Sequence, residues 1–343
     1  MLPAKSEGAA AIIGRVTSGQ ETTAQRTAAA EEAARSGCLV VEHESPGVID
    51  LGGATALDLL QRMSTNDVIG LEVASRRGTV LTTAIGRTVD VVDVLRRPSE
   101  IRLLTSPNRA ATVREWLGRH IFFQDDVQFG DVGGPFTFLG LYGPAAAREI
   151  GRIAGRLPGD EGAFVEGSDW LAWPTSRPVP GYRLLAGPQT AERARSLWAE
   201  AHPAEESARS AFEAIRIAHG FPVFGREIDD EVIPLEVGLA HLVSFTKGCY
   251  IGQEVIARMD SRGRTARRLA GVRLARLEQP PQDLLVAGQA VGRLTSAVDS
   301  PRLGPIGLAL VRTASLESLP AEALLASGGR AVLQELPFGD QPD

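Results

Sequence analysis

The chain has 343 residues, with 36 basic and 42 acidic side chains and a formal net charge of −6. That length suggests two domains, or one large domain with an appendage. A mildly acidic chain with 5% aromatic residues is a poor generic nucleic-acid binder, because phosphate neutralisation drives that binding and bases need stacking platforms. Its two cysteines, Cys38 and Cys249, are not a disulfide framework. They are also too few to hold a four-ligand iron–sulfur cluster, and a reducing cytoplasm is the expected compartment. The histidines show no zinc spacing. No apolar run approaches the ~20 residues of a membrane span, so neither nucleic acid nor membrane is an expected partner. The patch at 9–14 is too short, and its side chains too small, for a signal peptide.

In chain order, residues 1–27 are rich in Ala, Gly, Ser and Thr without a period and are expected to form a flexible tail. A helix is expected over 28–37, closed by Gly37, and a short strand over 45–53. Leu57, Leu60 and Met63 share one helical face within 54–67. The alternating stretch 78–97 reads as a hairpin turning at 85–87, followed by a strand at 101–106. Residues 108–120 form an amphipathic pattern with Asn108 as the expected cap. Strand, turn, strand and helix follow over 127–157, and strand, strand and helix over 164–201. Repeated β-β-α units are therefore suspected. A helix at 206–220 ends at Gly220, and a loop rich in turn residues spans 221–239. After the basic linker RGRTARR (262–268) short strands dominate, as in a small barrel or sandwich. The fold class is α+β, with a tail at 1–27, one module at 28–266 and a β-domain at 267–343.

The stretch FTKGCYIGQEVIAR (245–258) places Cys249 just before a helix, two residues after Lys247. A helix N-terminus and a nearby cation both favour the thiolate, which is the nucleophilic and metal-binding form. A buried, inert cysteine beside a solvated lysine is the alternative.

Lys247-Gly248-Cys249-Tyr250-Ile251-Gly252-Gln253-Glu254 resembles the K-G-C-Y-x-G-Q-E signature of the YgfZ family, folate-binding proteins related to the glycine cleavage T-protein, an aminomethyltransferase. Leu60-Gln61-Arg62-Met63-Ser64-Thr65-Asn66-Asp67, Pro234-Leu235-Glu236-Val237-Gly238-Leu239 and Val291-Gly292-Arg293-Leu294-Thr295-Ser296 resemble further motifs of that superfamily. The resemblance runs from about residue 34 to 335. It implies a three-lobed, cloverleaf-like folate-binding module of the aminomethyltransferase kind with a C-terminal β-barrel. Tetrahydrofolate or a derivative is the implied cofactor, and iron–sulfur proteins or their assembly machinery are the implied partners. T-proteins usually carry Asp-Phe where this chain has Cys249-Tyr250, so the thiol points to the YgfZ side.

A folate asks for a carboxylate at the pterin edge, an apolar slot for its rings and cations for its tail. Asp90 interrupts the apolar strand TVDVVDVL and aligns with the first aspartate of the T-protein pair G-G-x-x-D-D; a carboxylate salt-bridged to an arginine is the alternative. Ala218 stands where the T-protein pattern L-R-L-E-A-G has its pterin-associated glutamate, so Glu236 or His219 is expected to replace it if folate binds. Cys249, Lys247 and Asp90 are the catalytic candidates. Asp90, Asn108, Glu236, Tyr250 and Arg258 are the cofactor-binding candidates. Three functions remain open: an iron–sulfur accessory protein, a tetrahydrofolate-dependent aminomethyltransferase, and a folate-free scaffold.

Overall fold

The computed structural model describes residues 22–130, 135–198 and 205–339. In chain order the elements are α1 (Thr23–Ser36), β1 (Leu39–His43), β2 (Gly47–Gly52), α2 (Ala56–Met63), β3 (Ser75–Thr82), β4 (Thr88–Arg96), β5 (Ile101–Thr105), α3 (Ala110–Gly118) and β6 (Gln128–Phe129). Then come β7 (Thr137–Tyr142), α4 (Ala146–Ala154), β8 (Val165–Glu166), β9 (Trp170–Thr175), β10 (Gly181–Ala186), α5 (Pro188–Trp198) and α6 (Glu205–Ala218). The chain finishes with α7 (Gln253–Ser261), β11 (Arg267–Leu274), β12 (Gln282–Val286), β13 (Gln289–Ser300), β14 (Gly304–Arg312), β15 (Ala321–Leu325) and β16 (Arg330–Gln334).

The first helix starts at Thr23, so residues 22–27 are its cap and first turn rather than tail. The Thr22 side chain accepts from the Gln25 amide, and the Gln25 side chain accepts from the Thr22 amide at 2.9 Å. This reciprocal pair satisfies two amides that a helix start would leave orphaned. The expected tail otherwise lies at 1–21, outside the described residues.

Two antiparallel five-stranded sheets and a closed six-stranded barrel make the three lobes, the mixed fold with a C-terminal barrel that the motifs imply. The sheets have orders β3-β4-β5-β2-β6 and β8-β9-β10-β7-β1. Each is built from one βαβββα unit: β2-α2-β3-β4-β5-α3, then β7-α4-β8-β9-β10-α5. The repeat is thus twice the expected β-β-α unit. Each helix covers the sheet face where strand residues alternate inward. Leu59, Leu60 and Met63 of α2 meet Leu81, Val92 and Val94, whereas Ile150 and Ile153 of α4 meet Leu141 and Leu184.

Helix α6 joins the lobes, packing on α1, β1, β13 and β14. Its Arg216 is 1% exposed and would be costly there unpaired. It binds Glu213 at 2.5 and 2.7 Å, Glu227 at 3.1 Å and the Ser296 hydroxyl at 2.6 Å. Glu227 also accepts from Thr295 at 3.0 Å and from Ser296 at 2.5 Å. The V-G-x-x-T-S motif of β13 and the arginine of α6 therefore lock the barrel to the rest of the molecule. Among the described residues no helix is long and apolar enough to cross a membrane.

Candidate functional site

The β3–β4 hairpin supports both groups singled out by the sequence. Asp90 lies near its tip-proximal end, opposite Leu81, just after the pairing slips by one residue. It is fully buried, and one oxygen accepts from the Val91 amide at 2.9 Å, the other from the Ser106 amide at 3.1 Å. Burial raises its pKa to about 6, against the opposing effect of the hydrogen bonds from Ser106 and Val91 and the charge of Arg109. Among the described residues Asp90 makes no ion pair: the nearby Arg109 binds the Val89 carbonyl at 2.7 Å and Asp230 at 2.9 Å, with its guanidinium 4.5 Å from the Phe224 ring. The alternative of a salt-bridged Asp90 is thereby corrected. An acid whose pKa is near neutrality can exchange a proton at physiological pH, which a surface aspartate does poorly.

The turn that covers Asp90 differs from the sequence expectation. Helix α3 starts at Ala110 with Arg109 in the cap position, and Asn108 makes no capping bond. Asn108 instead sits at φ 62°, an exposed left-handed turn residue. Asparagine tolerates that conformation better than most side chains, so it reverses the chain between β5 and α3 rather than capping the helix. Arg109 is the residue of this turn that sequence reasoning missed. Its signal was only the aromatic ring of Phe224, distant in sequence.

The second group is the loop 244–252. Lys247 is 9% exposed, and its ammonium donates to the carbonyls of Gln61 at 2.7 Å, Ser64 at 2.8 Å and Asn66 at 2.7 Å. These carbonyls lie at and just beyond the C-terminal end of α2, where a helix leaves acceptors unpaired and favours a cation. Burial pushes the pKa of Lys247 down to about 8, with Asp67 opposing. Lys247 is therefore a staple for the loop: its ammonium has three carbonyl partners. Asn66 and Gln61 complete the same turn, the first donating to the Gly78 carbonyl and the second accepting from Val68 and Ile69.

The other residues of the signature are also structural. Tyr250 is 8% exposed, packs with Val243 and Ile256, and lies 5.2 Å from the Lys247 ammonium. Burial raises its phenol to about 12, so it stays neutral. Gly252 caps α7 at φ 84°, and a Cβ there would come 2.5 Å from the Thr83 carbonyl, so only glycine fits against the hairpin. Gln253 accepts from the Tyr250 amide at 3.4 Å. Glu254 pairs with Arg258 at 2.5 Å on the outer face of α7, and both are largely exposed. Arg258 is thus placed in a surface pair of little energetic consequence.

Cys249 is free and exposed and makes no hydrogen bond among the described residues. The buried-cysteine alternative describes Cys38 instead. That thiol packs beside the second sheet's core, and burial, aided by Glu149, lifts its pKa to about 12. The hairpin tip meets the start of α7, with Gly86 against Val255, and the Thr82 hydroxyl donates to the Ile251 carbonyl at 2.8 Å. One hairpin therefore carries the buried acid and braces the thiol loop.

The remaining folate candidates take other partners. Glu236 is 3% exposed; it accepts from Arg267 at 2.9 and 3.2 Å and from the Ile233 amide at 3.1 Å. It fixes the barrel's first strand to the preceding turn. Ala218 lies in an apolar cluster with Leu269, Ile306 and Phe338, and its carbonyl accepts from the Phe338 amide at 2.8 Å. His219 is exposed on the next residue.

Comparison with known proteins places this geometry. The model of the GCVT N-terminal domain matches residues 10–165. The aminomethyltransferase of Geobacillus kaustophilus is 32% identical over 298 residues, which is 81% of this chain and 79% of that protein. A chloroplastic protein of Arabidopsis thaliana that carries a provisional transferase name is 29% identical over 270 residues, or 76% of this chain; the chain spans 62% of its length. The crystal structure of the glycine cleavage system aminomethyltransferase T from Bartonella henselae superposes with a TM-score of 0.75 at 18% identity, over 92% of this chain and 90% of that one, which establishes the fold. A tripartite fold of this shape and a relative of that identity and coverage together mean that the chain belongs to the aminomethyltransferase (GCVT) family.

Proposed function

We propose that the protein is a YgfZ-type accessory protein that supports assembly or repair of iron–sulfur enzymes through Cys249, with a reduced folate as its small-molecule ligand. The observation that carries this reading is the division of labour within the signature. Lys247, Tyr250, Gly252 and Gln253 each hold the loop in place, whereas Cys249 is exposed and makes no hydrogen bond among the described residues. A rigid loop that presents a thiol to solvent suits attack on, or ligation within, a partner protein. The reading requires a reducing compartment, as the cytoplasm provides.

The residues present fit only part of what a reduced folate asks for. Asp90, held near neutrality beneath the Asn108 turn, fits an acceptor for pterin N–H groups once that turn moves. At Ala218 the wall is apolar and covered by Phe338, and Glu236 is already paired with Arg267.

Cys249→Ser is the direct test. The thiol is exposed, so the change should leave thermal stability within about 0.5 kcal/mol while abolishing complementation of a strain that lacks the homologous protein. Full complementation by the serine variant would remove the basis of the proposal. The transferase reading is favoured by one observation, the near-neutral Asp90. Aminomethyl transfer from a lipoyl protein to tetrahydrofolate, measured directly, decides between the two.

A further inference from the structure

We propose that the outer face of the barrel holds a small ligand by a single anionic group, a carboxylate or a phosphate. The cleft that takes it has a volume of about 790 Å³ and lies between β13, β14 and the loop 225–231. That is within the size range of small-molecule sites, roughly 300–1,000 Å³.

Three arginines form a diagonal row across three adjacent strands at its wall. Arg267 of β11 is the direct partner of Arg312 of β14. Arg293 of β13 is the direct partner of Leu310, two residues before Arg312 on the same face. Direct partners have Cβ atoms about 4.5–5.5 Å apart and diagonal neighbours about 7–8 Å, so the row is closely spaced. Like charges directly opposite are destabilising unless something between them is negative. Glu236 meets that need for Arg267 at 2.9 Å, and Asp283 of β12 is the direct strand partner of Arg293, so Arg312 is the guanidinium of the row with no acid opposite it. Arg293 and Arg312 are exposed and make no ion pair among the described residues. Two guanidinium groups of fixed fork geometry beside an apolar floor that includes Leu310 suit the two oxygens of a carboxylate or phosphate.

The opposite wall limits what enters. Glu227, Asp229, Glu231 and Asp283 line the same cleft, and Asp229 and Glu231 are close enough to Arg267 to act on its charge. They repel a polyanion, which favours a ligand with one anionic head.

Calorimetry on the full chain at constant ionic strength tests this, with inorganic phosphate and acetate as separate probes and chloride as the control. One of the two should bind saturably with a dissociation constant on the order of a millimolar or tighter. Arg293→Ala with Arg312→Ala should weaken it at least about tenfold, whereas Arg264→Ala, whose partner is Glu317 outside the cleft, should not. Which probe binds separates the carboxylate from the phosphate. Backbone amide shifts of the unmodified protein supply a readout that needs no variant, and they should move around Val291 and Leu310. No saturable binding of either anion up to about twenty times that concentration, equal binding by the double variant, or shifts confined to other regions would overturn the proposal.

Discussion

Replacing Lys247 with methionine isolates the staple from the thiol. The methionine fills a similar volume and removes the ammonium from the carbonyls of Gln61, Ser64 and Asn66. A hydrogen bond to a charged group contributes roughly 1.5–3 kcal/mol, so three give on the order of 4–9 kcal/mol gross. Burial opposes this: the fall of the lysine pKa from 10.5 to about 8 corresponds to roughly 3 kcal/mol against the charged form. The difference leaves a net loss of about 1–6 kcal/mol. It should be local as well as global, because the freed carbonyls belong to the end of α2 and the freed backbone to the loop around Cys249. Urea denaturation measures the first. Hydrogen exchange of residues 61–66 and 244–253 measures the second, and both segments should lose protection. Stability within about 0.5 kcal/mol of the parent, together with unchanged exchange, would refute the assignment of Lys247 as a staple.

Asp90 gives a pH-dependent prediction. Its folded pKa is raised from 3.8 to about 6, so the fold favours the protonated acid. The stability it contributes is fully present below about pH 3.8 and is lost as pH rises through 6; at pH 7 the ionised form costs on the order of 3 kcal/mol. Asp90→Asn should therefore raise stability at pH 7 by about 1–3 kcal/mol and by progressively less toward pH 4, which denaturation at several pH values reads directly. An advantage independent of pH would show that Asp90 does not titrate in this range. Arg216→Met should cost about 3–5 kcal/mol by leaving Glu227 buried without its cation, and limited proteolysis should then release the barrel. Adding Glu227→Gln should restore part of the loss; no restoration would mean that packing, not charge, locks the lobes.

Much of the architecture was legible in local pattern. The face formed by Leu60 and Met63, the glycine after α6 and the alternation of β4 each report burial of a single element, and a single element's period is written in its own residues. The start of α1 was legible too, in the Thr22–Gln25 pair, although composition alone pointed to a tail. The doubled βαβββα unit was not. Its two copies share strand order and the burial of their faces, and many different apolar side chains satisfy those requirements equally well.

The site divides in the same way. By itself the sequence singled out the loop 247–254 and determined that it carries a thiol. Only the tertiary structure decided what they do. Lys247 is held by main-chain carbonyls, which every residue carries and no sequence pattern marks. Glu236 is paired because Arg267 arrives from the barrel, and Asp90 is buried because the turn before α3 folds over it. Charge, burial and pairing of a side chain depend on groups distant in sequence, and those meet only when the chain is folded.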